Sequence, residues 1–94
     1  MTSHDLAPDM ETIRHKAVWG AIDSIADEMG ISPSRLAILS GHDSTAFNKS
    51  KRSRGDELHW PSTRTVARVL HVAGMPHADF GFFIDAALRR KRNG

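Results

Sequence analysis

The stretch Pro33–Arg52, PSRLAILSGHDSTAFNKSKR, constrains this chain more than any other. Ser32 is placed to cap a short helix, and Pro33 suits its first position, where a missing N–H loses no intrahelical bond. Gly41 then supplies the left-handed backbone geometry that a sharp turn needs. Asp43 is suited to open a second helix, because its carboxylate faces the positive helix end. Small Ala37 allows the two helices to approach closely, and Phe47 pins the second against the first. The spacing predicts helices over roughly 33–40 and 43–51. With Phe47 inward, Ser44, Thr45, Asn48 and Lys49 form one outward polar surface, chemically suited to base edges in a major groove.

The flanking sequence reads as helix too. From residue 9 or 10 to Met29, an apolar face recurs at helical spacing: Ile13, Ala17, Val18, Ala21, Ile22, Ile25 and Met29. Trp19 lies at its margin, and Gly30 ends it. Ser62 caps a helix reaching about Ala73, with Val66, Val69, Leu70 and Ala73 inward and Trp60 or Pro61 placed to staple onto Val66. Gly74 closes that helix. Pro76 opens another through Leu88, with the stripe Phe80, Phe83, Ile84, Ala87 and Leu88. Residues 1–9 lack periodicity and read as a flexible arm. Residues 52–61 read as a loop turning at Gly55-Asp56. Residues 89–94 read as a basic tail or the start of a linker. No stretch alternates as a strand does. The expected fold is all-α, with five helices packed orthogonally over residues 10–88 and a helix-turn-helix at helices two and three.

Net charge is only +2, yet it is unevenly placed. Asp5, Asp9 and Glu11 fall in the first twelve residues, which hold no Lys or Arg. Lys49, Lys51, Arg52 and Arg54 follow one another with no acid between them. They sit at the end of the outward-facing helix, where a nucleic-acid backbone passes. Arg64 is a cation in the first turn of a helix, an unfavourable end, which either a phosphate partner or plain exposure explains. Arg89, Arg90, Lys91 and Arg92 suit DNA contact and equally suit the C-terminal end of a helix.

Several function classes find no support. There is no cysteine, so no disulfide framework and no thiolate metal site, as suits a reducing cytoplasm. The six histidines include no i, i+4 pair that would put two ligands on one helix face. Ser50 and Lys51 are adjacent, so they point apart and form no Ser-Lys dyad. We therefore expect no enzyme, no metal and no cofactor. No apolar run approaches the ~20 residues of a membrane span, and no secretory signal is visible. The two tryptophans suit a core and a staple better than a base-stacking platform.

Ala37, Gly41 and Phe47, with AFNKSKR and the later WPST, resemble the helix-turn-helix of lambda-repressor-like (Xre-type) domains. More narrowly, they are similar to the N-terminal domains of phage-type repressors that carry a self-cleaving peptidase domain. The resemblance covers about residues 10–84. It implies a sequence-specific transcriptional repressor, cytoplasmic, whose partner is double-stranded DNA. It also implies a peptidase-like domain after residue 94 in a longer parent, and nothing here corresponds to that domain's nucleophile. Position by position, Ser44, Thr45 and Lys49 match base-reading places, with Asn48 a further candidate. Ser34, Lys51, Arg52, Arg54 and Arg64 match phosphate contacts. Many relatives place Gln where this chain has Pro33 and Ser44, so a Gln-to-adenine contact is lost there. Phe82 is the main aromatic off its stripe, so the isolated chain is expected as a monomer or weak dimer. A homodimer on DNA would space half-sites by ~34 Å. The rival expectation is a helical protein-interaction module, such as an antitoxin or assembly factor.

Overall fold

The computed structural model describes the backbone of residues 3–93 and the side chains of residues 10–90. Helix α1 spans Ser3–Glu28, α2 Pro33–Leu39, α3 Thr63–Ala73 and α4 His77–Asn93. Between α2 and α3 lie one 3-10 turn, Lys49–Lys51, and an antiparallel hairpin of β1, Ser53–Arg54, and β2, Glu57–Leu58. The expected five-helix, strand-free fold is therefore corrected. Among the described residues there are four α-helices and a two-stranded sheet.

The missing helix is the one expected over 43–51. Its amides bond three residues back: Ala46 to Asp43, Asn48 to Thr45, Lys51 to Asn48 and Arg52 to Lys49. That pattern marks turns and 3-10 structure. Ser44, Thr45 and Asn48 are weak helix formers whose side chains compete for nearby backbone groups. The Phe47 carbonyl, which an α-helix would offer to the Lys51 N–H, instead accepts from the Arg52 guanidinium at 2.7 and 3.2 Å.

Other boundaries move as well. Helix α1 begins at Ser3, so the expected start at 9 or 10 falls inside it. Helix α4 begins at His77 and continues through the basic run to Asn93 instead of stopping at Leu88. Lys and Arg are good helix formers and are favoured near a helix C-terminus. The Gly55-Asp56 turn is where the sequence puts it, but it closes a hairpin. Gly55 has φ of 60°, and among the described residues no non-glycine residue has positive φ, which fits a II′ turn with glycine at its first central position. Ser53 pairs with Leu58, and Arg54 with Glu57. Gly41, at φ 85°, ends α2 as expected. The His42 N–H reaches the Ala37 carbonyl across it, and the Gly41 N–H reaches that of Ile38.

The core forms where α1, α2, the 44–47 turn and α3 meet. Trp19, Ile22, Ile25 and Ala26 of α1 pack with Leu36, Ala37, Phe47, Val69 and Leu70. Phe80 and Phe83 of α4 cover them. The end of α4 lies along the first half of α1: Ala87 and Leu88 border a small cavity with Ile13, Lys16 and Ala17. Trp19 is deeper than its marginal place in the helical pattern implied, at 5% exposure. The segment after β2 explains this by folding back over α1. The indole N–H donates to the His59 carbonyl at 2.8 Å. Trp60, one of the two residues placed to staple onto Val66, lies partly in solvent. It is 43% exposed and meets the His15 ring edge-on at 5.2 Å.

Helix α3 begins as the sequence predicts. The Ser62 hydroxyl accepts from the Thr65 N–H at 3.0 Å, one of the otherwise orphaned donors of a helix start. Ser62→Ala should cost ~1 kcal/mol. A urea titration would show it as a lower midpoint with an unchanged slope.

Candidate nucleic-acid interface

Two anchors hold the 44–52 segment. The first is Phe47, 2% exposed, with the Trp19 ring 5.8 Å away and the His42 ring 5.7 Å away. His42 in turn reaches the Thr65 hydroxyl at 3.2 Å, tying the turn to α3. The second anchor is Arg52. Its guanidinium forks onto Asp23 of α1 at 2.9 and 2.7 Å, a bidentate, charge-assisted pair. It also lies 4.8 Å from the centroid of the Trp19 ring.

Histidines tie the following residues down. A carbonyl only accepts, so the His15 Nε2–H and the Trp19 N–H both donate to the His59 carbonyl, at 2.9 and 2.8 Å. By the same argument the His59 Nδ1–H donates to the Lys51 carbonyl at 3.1 Å. The His59 N–H closes the hairpin base on the Arg52 carbonyl at 2.9 Å.

These anchors leave Ser44, Thr45, Asn48, Lys49 and Lys51 exposed as one surface. The Lys51 ammonium donates to the Thr45 hydroxyl at 3.3 Å. Half-buried Ser34 joins from α2, where it borders a shallow depression of about 360 Å³ with Asn48 and Lys49. Arg54 is exposed on β1 and Arg64 in the first turn of α3. None of Lys49, Lys51, Arg54 and Arg64 makes an ion pair among the described residues. The cationic surface stops at the hairpin tip, where Asp56 and Glu57 are exposed acids.

Arg52 departs from its expected place among the phosphate contacts. Its side chain is 11% exposed, and its donors are committed to Asp23 and to the Phe47 carbonyl. Asp23, His15 and His59 shape the site without having been singled out from the sequence. Lys16 is another such residue. It sits across a cleft of about 560 Å³ between α1 and the hairpin, which Trp19, Lys49, Ser53 and Asp56 also border.

Chemically the surface offers hydroxyls, one amide and cations. Among the described residues no group of three His, Cys, Asp or Glu side chains is placed to hold a metal ion. No described helix is long and apolar enough to cross a membrane. No protein-family model matches the chain, and no curated protein or solved structure matches it either.

Proposed function

We propose that this chain is a sequence-specific double-stranded DNA-binding domain of a transcriptional repressor, and that it reads DNA through residues 44–51 without a recognition helix. The observation that supports this most is the exposed surface itself. Base-edge donors and acceptors lie beside Lys49, Lys51 and Arg54, without acid partners among the described residues, on a segment held by buried Phe47 and half-buried Arg52. The resemblance to phage-type repressors supports the regulatory part of the reading. A major groove admits an α-helix, and a 3-10 turn is narrower. Asn48 suits the N6 and N7 edge of adenine, and Lys49 the O6 and N7 acceptors of guanine. Lys51, Arg54 and Arg64 carry the phosphate contacts, and the Ser34 hydroxyl adds one from the depression it borders with Asn48 and Lys49.

One observation favours a protein partner instead. Ile38 and Leu39 on α2 are 47% and 44% exposed. Backbone NMR shifts on adding a random-sequence duplex at low salt separate the two readings. DNA binding predicts shifts centred on residues 44–54. Unperturbed spectra, or shifts confined to the Ile38 and Leu39 face, would overturn it.

A further inference from the structure

We infer that Asp23 controls DNA binding as a positioning residue: its pairing with Arg52 sets the shape of residues 44–51. The duplex part of this inference rests on the function proposed above; the folding part stands by itself.

Three observations meet at Arg52. Its fork onto Asp23 joins the end of the segment to α1, 29 positions earlier in the chain. Its Nη2 and Nε groups hold the Phe47 carbonyl, the acceptor that an α-helix would offer to the Lys51 N–H. Its charge lies 4.8 Å from the centroid of Trp19, whose indole pins the residues after the hairpin. One guanidinium thus connects α1, the turn and the hairpin base. A phosphate reaching it would have to displace Asp23 from a site where Arg52 is 11% exposed.

The inference has a sign that simple electrostatics does not. Neutralising an acid beside a cationic surface ordinarily strengthens DNA binding, and here it would also free Arg52 for phosphate. Positioning predicts weaker binding, because the guanidinium loses the partner that orients it. Lysine at position 52 separates the readings as well. It serves a phosphate as a point charge but cannot reproduce a planar fork shared between a carboxylate and a carbonyl.

The test compares Asp23→Asn, Arg52→Lys and the double variant with the wild-type chain. Amide hydrogen exchange is followed at Ala46, Asn48, Lys51, Arg52 and His59, whose N–H groups bond within the segment and hairpin base. We expect these amides to exchange about tenfold faster, equivalent to ~1.4 kcal/mol, while α1 and α3 keep their protection. Affinity for a duplex selected by the wild-type chain should fall about tenfold in each single variant, and the double variant should be no worse than either. Unchanged exchange in Asp23→Asn overturns the inference. So does duplex binding that is retained or tightened in Asp23→Asn or Arg52→Lys. Loss of α1 and α3 protection in both single variants also overturns it, since the pair is then a general stability device. If the wild-type chain binds no duplex, the function proposed above fails and the exchange data alone decide this inference.

Discussion

Phe47→Ala lowers the stability of the domain by ~3–5 kcal/mol, as large-to-small core changes do. Phe47 is 2% exposed and bridges the segment to α1, α2 and α3 through one cluster. A chain of this size has a total stability on the order of 5–15 kcal/mol, so the loss is a large share of the whole. A urea titration reads it directly, and duplex binding falls with it wherever the unfolded state becomes populated. A variant that melts like the wild-type chain would mean that another face of the segment is buried. Ser44, Thr45, Asn48 and Lys49 would then no longer be its outward set.

Replacing Lys51, Arg54 and Arg64 together by alanine abolishes binding to random-sequence duplex DNA. Sequence-independent binding is essentially all phosphate neutralisation, with ~0.9 of salt slope per contact, so three contacts account for a slope of about −3. All three side chains are exposed and make no ion pair among the described residues, so each substitution alone should keep stability within ~0.5 kcal/mol of wild type. Lys49→Ala acts differently. It is expected to cost ~1–3 kcal/mol on a selected site and little on a random duplex, if Lys49 faces base edges as proposed. Anisotropy titrations on both duplexes distinguish the two effects. Equal loss on both would make Lys49 a phosphate contact.

The parts of the fold that the sequence reveals are those fixed by local rules. Ser32 and Ser62 cap the helices they precede, and Gly41 ends α2. Ile22, Ile25, Val69 and Leu70 face inward at helical spacing. The segment over 43–51 escapes local reading because its spacing suits a helix while its Ser, Thr and Asn content resists one. The hairpin escapes because two residues per strand are too few to show alternation. Arg52 reads as one cation in a basic run because its partner, Asp23, lies on another helix. A faint signal exists: Trp19 and Asp23 are four apart, so an acid shares the strip of the ring that the guanidinium covers. Ser44, Thr45, Asn48 and Lys49 are exposed, as burying Phe47 implies, although only Lys49 lies in the 3-10 turn.

The most direct measurement is the affinity of the wild-type chain for a random-sequence duplex across a salt series starting at about 10 mM, where the screening length is ~30 Å. DNA binding through Lys51, Arg54 and Arg64 predicts a linear fall of log K with log salt, at a slope of about −3. No binding at the lowest salt, or binding that does not change with salt, would contradict it.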